Sequence, residues 1–401
     1  MAGSLDEKIR VRRWMTAQRS FARDAVLLVL ILAPALWLLQ VQGKDADQEF
    51  PWTGHPAGFH LPSWLQGDSP FYRAAIESLL RDRDLDLRNN ADWAVLSPES
   101  QLALGQRGEW YPKHPLALPV AALGFYALAG DHGLLAFNLL QLLALDVLIL
   151  LAARRFASAN IALITALLFS LASLLCRAAL NFSPDVFSTL LVFAAYLCLI
   201  ERRAAPAGLL FVIAVAAKWT NVIFLPIALV WSLVVLKPRA TLILAAFATP
   251  PLLALAALNA HMFGAPWITA YDRVAVGLLA GAPHLAPSHR ELFDQPFWSG
   301  LWTQLVDPSS GLMVSAPPLV FLPAGLVALW RRSGAETLLT ACMACAQMAL
   351  FGPYRDWGAT SIGHRFLMTV VVLGAAPAAA LLESWQSQQP GSRKAALGRS
   401  G

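Results

Sequence analysis

The chain has 401 residues; 57% are hydrophobic, 14% are charged, and the formal net charge is +5. Soluble domains carry about 25% charged residues, and a chain this apolar would have no way to cover its surface in water. The basic residues are spread between the apolar segments instead of forming one patch, so the charge excess indicates orientation in a membrane and argues against a nucleic-acid partner.

The N-terminal segment, residues 1–23, carries six basic side chains and leads into the apolar run 25–42. This order superficially resembles a signal peptide, but the run is long, and the small-residue pattern of a cleavage site is poor at 40–43. The sequence therefore predicts a first helix that is retained, with its N-terminal end in the cytoplasm.

Further apolar segments follow, most of them close to the ~20 residues that cross a bilayer. Basic residues at alternate connections place those connections in the cytoplasm. The predicted bounds of these nine helices are 132–153, 159–179, 186–200, 205–218, 220–236, 240–259, 316–330, 336–352 and 366–383. Helices five and six are expected to form a tight hairpin around Lys218.

The predicted fold class is an all-α integral membrane protein with about ten transmembrane helices. The membrane domain covers residues 24–383, and the segments 1–23 and 384–401 are predicted to be cytoplasmic, so both termini lie on that side. Composition and the resemblance described below suggest the inner membrane of a bacterium.

The first outer loop, residues 43–131, is unusual because it holds 12 of the 25 acidic residues. Long loops in compact proteins are usually functional. An aspartate and a first-turn proline, followed by helical apolar spacing, predict a helix over 69–83. Residues 115–129 are apolar but too short to span, which predicts an interfacial helix on the outer leaflet. A second outer segment covers 260–315.

Four polar segments from distant parts of the chain meet at the outer surface in this topology, which predicts a site there: 67–70, 111–115, 181–185 and 358–365. Each polar group also has a structural interpretation. Asp68 and Asp185 stand where helices begin and can act as caps or favour the helix dipole. Lys113, His114 and Lys218 can extend to the membrane interface.

Two further alternatives stay open. His364 and Arg365 begin the last helix, where an outer arginine can pair with a lipid phosphate. Asp146 lies inside helix two, where a carboxylate needs a partner; a buried polar contact is favoured there over a proton relay.

Taken together, these segments resemble bacterial lipid-carrier-dependent glycosyltransferases, in the same broad class as protein O-mannosyltransferases and aminoarabinose transferases, which have the GT-C fold. The stretch 67–90, beginning GDSPFY, resembles the first-loop signature of that family. The other matching segments follow in order over about 300 residues: 113–115, 184–185, 259–271, 307–312 and 357–367.

The resemblance implies transfer of a sugar from a polyprenyl-phosphate donor to an acceptor hydroxyl outside the cytoplasm, with inversion. Asp68 matches the aspartate taken as general base. Arg365, with Lys113 or His114, would neutralise the phosphate charge. Asp185 would orient the acceptor or help to hold a cation. Four further candidates for substrate binding complete the set: Tyr111, Lys218, Asp307 and His364.

The sequence departs from the family at Ser69, where many members have a second acid, so no metal is assigned and no cofactor is expected. The predicted partners are a lipid-linked sugar, a glycan, lipid or protein acceptor, and membrane lipids. Two alternatives from other classes are a transporter or flippase, which usually shows internal repeats and midplane charges, and a non-catalytic scaffold. Neither accounts for the acidic outer loop.

Overall fold

The computed structural model describes residues 20–36, 68–90, 101–178, 182–278, 281, 283–286, 289–308, 311–355 and 365–388. Helices make up most of these residues. The first seven helices are α1 (20–36), α2 (Ser69–Arg81), α3 (Ala117–Arg154), α4 (Ala159–Leu171), α5 (Leu174–Ala178), α6 (Pro184–Ile200) and α7 (Ala204–Ala217).

The second half of the chain is also mainly helical. It comprises a 3₁₀ turn Trp219–Ile223, α8 (Phe224–Trp231), a π turn Ser232–Leu236, α9 (Pro238–Phe263), α10 (Phe297–Val306), α11 (Leu312–Ser315), a 3₁₀ turn Pro317–Phe321, α12 (Leu322–Trp330), α13 (Gly334–Phe351), a 3₁₀ turn Arg365–Leu367, α14 (Met368–Leu373) and α15 (Ala375–Gln388). The mainly helical architecture predicted from the sequence is therefore confirmed.

The apolar segments predicted from the sequence are mainly helical where the structure describes them, with a break at Ala172 and Ser173 inside the predicted helix 159–179. Among the described residues, five helices are long and apolar enough to cross a membrane: Ala117–Arg154, Trp219–Leu236, Pro238–Phe263, Gly334–Phe351 and Arg365–Gln388. Shorter apolar helices cover Ala159–Leu171, Pro184–Ile200, Ala204–Ala217 and Pro317–Trp330. The number of about ten crossings and the side of each terminus stay predictions.

A break inside α3 separates two predicted elements. Ala129 and Gly130 leave the helical conformation, and Gly130 has φ +55°, a value that glycine adopts at little cost. The part before the break matches the predicted helix 115–129, and the part after it matches helix two. Gly133 lies against the carbonyl of Phe125, so the first part approaches the second too closely for a side chain there.

Helix α7 packs mainly against two other helices. α7 lies against α6 and α9, and it meets α8 mainly near the turn after Lys218. The tight hairpin of helices five and six stays a prediction. Gly208 explains the preference, because its missing side chain lets α7 approach the backbone of α9 at Leu244.

The outer region contains two small sheets that the sequence did not predict. Strand β1 (Leu102–Leu104) pairs antiparallel with β2 (Trp110–Pro112), and β3 (Ala275–Val276) pairs with β4 (His284–Leu285). The predicted helix over 69–83 is confirmed as α2. It packs on α3 through buried apolar side chains, including Tyr72, Ile76, Leu118, Leu134 and Phe182.

Asp146 lies in the membrane-length part of α3 and is 2% exposed. The hydroxyl of Ser170 on α4 donates a hydrogen bond to its carboxyl oxygen at 3.2 Å. The prediction of a buried polar contact is therefore confirmed.

Candidate active site

Six of the sequence-predicted site residues come together at the ends of different elements: Asp68, Lys113, His114, Asp185, Lys218 and Arg365. We call this set the polar cluster. Asp68 stands just before α2, and His114 follows β2. Asp185 is in the first turn of α6, Lys218 follows α7, and Arg365 begins the last membrane-length helix.

Ser69 connects the first loop to the start of α6. Its fully buried hydroxyl donates a hydrogen bond to the carbonyl of Phe182 at 2.8 Å, across 113 positions of sequence. The bond holds the segment before α2 against the segment before α6. Asp68 and Asp185 are brought near each other as a result, and Ser69 therefore has a structural role here.

Asp68 does not cap α2. Its backbone is already helical (φ −82°, ψ −17°), and its side chain makes no hydrogen bond to the helix end. The carboxylate instead faces His114, with Oδ1 3.3 Å from Nε2, and Arg365, with Oδ2 3.4 Å from Nη2. Burial alone would raise the pKa of Asp68, but the contact with His114 and the positive charges of Arg365 and Lys113 outweigh it and hold the pKa below its usual range. Asp68 is thus an ionised carboxylate whose side chain is 13% exposed.

His114 is held between Asp68 and Tyr271. Burial lowers the pKa of His114 despite the nearby carboxylate, so the ring is neutral at pH 7. Tyr271 Oη lies 2.8 Å from Nδ1, and burial together with Asp68 raises the pKa of Tyr271, which keeps its proton. Because an ionised carboxylate faces Nε2, we assign the tautomer with a proton on Nε2 and with Nδ1 accepting from Tyr271.

Lys218 is mostly buried within the protein, with its side chain 13% exposed. Its ammonium lies 2.5 Å from Asp185 Oδ1 and sits over the rings of Phe366 (4.7 Å) and Phe351 (5.7 Å). Lys218 thus belongs to the polar cluster, and its depth relative to the membrane stays a prediction. The Ser183 hydroxyl donates to the other carboxyl oxygen of Asp185 at 3.3 Å.

Arg365 links the two carboxylates of the polar cluster. Its Nη2 faces Asp68 at 3.4 Å, and its Nε lies 3.6 Å from Asp185 Oδ2. The side chain is 17% exposed. Arg365 is thus directed into the protein, where a rigid guanidinium can hold both acids in fixed relative positions.

Lys113 and Tyr72 add two mostly buried polar side chains near Asp68. Lys113 is 7% exposed, and its ammonium has no hydrogen bond or ion pair among the described residues. The Tyr72 hydroxyl is likewise buried and unpaired within the described ranges. Burial lowers the pKa of Lys113 and, with the charge of Asp68, raises that of Tyr72. The Tyr72 hydroxyl and the Lys113 ammonium are therefore available to a polar ligand or to water.

The remaining candidates lie elsewhere. The Tyr111 ring packs edge-on against Phe263 at 5.7 Å, in an apolar group beside β2. Asp307 follows α10, where its carbonyl accepts a hydrogen bond from the N–H of Gly311 at 2.7 Å. His364 lies outside the described residues.

Tyr72 and Tyr271 are site residues that were not predicted from the sequence. Both occur in segments that carry the family resemblance, at the end of GDSPFY and in 259–271. Their position in these segments is the sequence feature that could have identified them as site residues. Within the described ranges, no three His, Cys, Asp or Glu side chains are grouped so as to hold a metal ion.

No family model matches the sequence, and no curated protein is similar enough to count as a match. Solved structures do match. ArnT from Cupriavidus metallidurans in the apo state is 15% identical with a TM-score of 0.54, and the match covers 92% of this chain and 62% of ArnT. ArnT bound to undecaprenyl phosphate is 13% identical with a TM-score of 0.56, covering 92% and 61%.

An archaeal protein with the same architecture also matches. The oligosaccharyltransferase AglB from Archaeoglobus fulgidus, in complex with an inhibitory peptide and a dolichol-phosphate, is 14% identical with a TM-score of 0.52, covering 90% of this chain and 50% of AglB. The chain therefore has the GT-C fold that the sequence predicted. It spans between 50% and 62% of the length of these structures.

Proposed function

We propose that this chain is a membrane glycosyltransferase that moves a sugar from a polyprenyl-phosphate donor to an acceptor hydroxyl, on the non-cytoplasmic face of a bacterial inner membrane. The observation that carries the proposal is the buried polar cluster at the predicted outer ends of the helices. Support for a lipid-phosphate donor comes from the fold, since ArnT and AglB have been solved with undecaprenyl phosphate and dolichol-phosphate.

Asp68 is the proposed general base. As the acceptor oxygen forms its bond to the anomeric carbon, its proton passes to Asp68, and the bond from that carbon to the phosphate oxygen breaks. A single displacement of this kind inverts the anomeric centre and releases the polyprenyl phosphate. Two contacts orient the carboxylate for this task, the one with Nε2 of His114 and the one with Arg365.

The polar cluster carries a net charge of +1 when His114 is neutral, because three cations (Lys113, Lys218 and Arg365) face two carboxylates (Asp68 and Asp185). An excess of positive charge in a buried site stabilises the phosphate as negative charge builds up on it. Lys218 and Arg365 are already engaged by carboxylates, which leaves Lys113 as the free cation among them. The phosphate is therefore proposed to bind Lys113 first, with the Tyr72 hydroxyl as a second donor.

Asp185 is proposed to act through its neighbours. Its two oxygens face Lys218 and Arg365, so the carboxylate holds these cations in place. The two roles expected from the resemblance, orienting the acceptor or helping to hold a bound cation, stay predictions. The acceptor class and the donor sugar are left open by the site.

The alternative of a transporter receives less support. Transporters tend to have ionisable residues near the membrane midplane, and Asp146 is the candidate for such a residue here. Its carboxyl group accepts a hydrogen bond from Ser170, and it lies outside the polar cluster. The ionisable groups that do cluster are at helix ends.

Replacement of Lys113 by methionine is expected to weaken binding of polyprenyl phosphate about tenfold to 100-fold, since a hydrogen bond to a charged group is worth about 1.5–3 kcal/mol. Native mass spectrometry with undecaprenyl phosphate measures the change, and undecaprenol without the phosphate serves as the reference lipid. Lys113→Arg is expected to recover part of the affinity. Equal affinity in wild type and Lys113→Met would contradict the proposed phosphate position.

Replacement of Tyr271 by phenylalanine is expected to move the acid limb of the transfer rate to higher pH. The Tyr271 hydroxyl donates to Nδ1 and stabilises neutral His114, whose pKa burial already lowers. Without that donor the imidazole takes up a proton at higher pH, and an imidazolium beside Asp68 makes the carboxylate a weaker base. Rate against pH for both proteins measures the shift. Tyr126→Phe, which removes a hydroxyl bonded to Glu77, is the control. An unmoved acid limb would exclude this role for Tyr271.

A further inference from the structure

Helix α10 has two different faces. Trp298 and Trp302, four positions apart, are 77% and 67% exposed on one face. Gly300 and Gln304 are buried on the opposite face. Gly300 lies against the carbonyl of Gly352, and the Gln304 side-chain amide donates a hydrogen bond to the carbonyl of Phe351. One face therefore fixes α10 to the end of α13, and the other carries two uncovered tryptophans.

The exposed face is unlike one that meets water. The sequence of α10, FWSGLWTQLV, contains no charged residue, whereas a helix at a water-exposed surface normally has a charged or polar outer face. Tryptophan is enriched where a membrane meets water, because its large ring is apolar and its N–H needs a polar partner. We call the pair Trp298 and Trp302 the tryptophan face.

The apolar surface continues along the chain into a predicted membrane helix. Exposed apolar side chains recur through this stretch at Val306 (37%), Met313 (37%), Val314 (53%), Val320 (61%) and Val327 (56%). The last two belong to Pro317–Trp330, an apolar helix of the predicted transmembrane set. The tryptophan face is thus continuous in sequence with a surface expected to meet lipid.

The contacts of α10 also indicate its depth relative to the bilayer. It packs against Phe351 and Gly352, at the end of α13, and α13 is long and apolar enough to cross a bilayer. A helix of ten residues is about 15 Å long and cannot span. Just before it, Asp294 forms a half-exposed ion pair with Arg355 at 2.6 Å, which suits the headgroup region and not the acyl core.

We infer that α10 is an interfacial helix whose tryptophan face lies among the lipid headgroups of one leaflet. The leaflet is the one on the side of the polar cluster, because the Phe351 ring beside α10 also contacts the ammonium of Lys218 at 5.7 Å. Tryptophan rings settle at the boundary between headgroups and acyl chains, and their burial there adds to the hold of the membrane on this end of the bundle.

Helix α10 also connects the membrane surface to the polar cluster. Its buried face supports Phe351, whose ring stacks on Phe366 with centroids 5.2 Å apart, beneath Lys218. The membrane surface and the polar cluster are therefore joined through one layer of side chains, and the cluster lies near headgroup depth. The inference itself rests on the position of α10 and does not depend on the proposed reaction.

Depth-dependent quenching tests the inference. In a protein whose native cysteines are replaced by alanine, Trp298→Cys and Trp302→Cys are labelled with bimane and reconstituted in vesicles of phosphatidylethanolamine and phosphatidylglycerol. Nitroxides on the headgroup are expected to quench both labels more strongly than nitroxides deep in the acyl chain. Two matched sites set the limits: Leu253→Cys, exposed midway along α9, and Arg88→Cys, on the exposed turn after α2.

Two outcomes would overturn the inference. Quenching by aqueous iodide at the level of the Arg88 label, with none from lipid nitroxides, would place the tryptophan face in water. Quenching strongest from the deep nitroxide, as at Leu253, would place it in the acyl core.

The native fluorescence provides a second measurement that needs no label. Headgroup nitroxides are expected to quench less of the tryptophan emission in a Trp298→Phe/Trp302→Phe variant than in wild type. An unchanged quenched fraction in the folded variant would also overturn the inference.

Discussion

Asp68→Asn is expected to lower the rate of sugar transfer about 10²- to 10⁴-fold, the range contributed by a positioned general base. Asparagine has the shape of aspartate, but it keeps only one acceptor oxygen where Asp68 faces His114 and Arg365 with two, and it cannot take the acceptor proton. The loss should therefore fall on kcat, with little change in the KM for donor. Initial rates of polyprenyl phosphate release over a range of donor concentrations separate the two parameters.

The control for Asp68 is another carboxylate predicted to lie on the same face. Asp294→Asn removes a charge from a half-exposed ion pair with Arg355 outside the polar cluster, and the rate is expected to stay close to wild type. Equal rates for wild type and Asp68→Asn would remove Asp68 as the base and direct attention to Asp185.

Lys218→Met is expected to cause the largest loss of stability, about 3–5 kcal/mol, because it leaves the buried Asp185 carboxylate without its nearest cation. The side chains of this pair are only 13% and 4% exposed, so water screens the charges poorly. The double variant Asp185→Asn/Lys218→Met removes both charges and should regain most of that stability. It should nevertheless remain poorly active, since Arg365 loses one of its two carboxylates.

Thermal unfolding in detergent, followed by near-ultraviolet circular dichroism, measures this cycle. The matched pair is Asp294 and Arg355, whose side chains are 49% and 50% exposed. Arg355→Met should cost about 0–1 kcal/mol, as exposed ion pairs do. If Lys218→Met were no more destabilising than Arg355→Met, the buried pair would not be the structural link described here.

Much of the fold can be predicted from the sequence because the bilayer imposes the length and composition of each helix. The meeting of Asp68, His114, Asp185 and Arg365 is predictable for the same reason. Asp185 and Arg365 lie at the starts of apolar segments, Asp68 and His114 lie in the first outer loop, and the predicted alternation of the segments across the membrane places all four on one side.

The contacts within the site are not predictable in this way. His114 and Tyr271 are 157 positions apart, and only the packing of β2 against the segment after α9 brings their side chains together. Its place on a short connection predicts an interfacial position for Lys218. The contact of its ammonium with aromatic rings from two later segments is not visible in the sequence. The sequence predicts Asp68 as a helix cap, but the backbone at that residue is helical and its carboxylate faces His114 and Arg365.

The two small sheets and α10 were not predicted from the sequence, for other reasons. Strands of two or three residues are too short to show alternation of apolar and polar residues. The uncharged sequence of α10 has no polar face to mark a helical period, because its outward side carries tryptophan.

The most direct test of the proposed transfer is to follow the donor itself. Purified protein in proteoliposomes is supplied with a panel of polyprenyl-phospho-sugars and membrane-extracted acceptors, and free polyprenyl phosphate and sugar-modified acceptor are quantified by mass spectrometry. We expect one donor to be converted, with one acceptor modified for each polyprenyl phosphate released. Movement of donors across the membrane without release, by folded protein, would contradict a transferase and indicate a transporter.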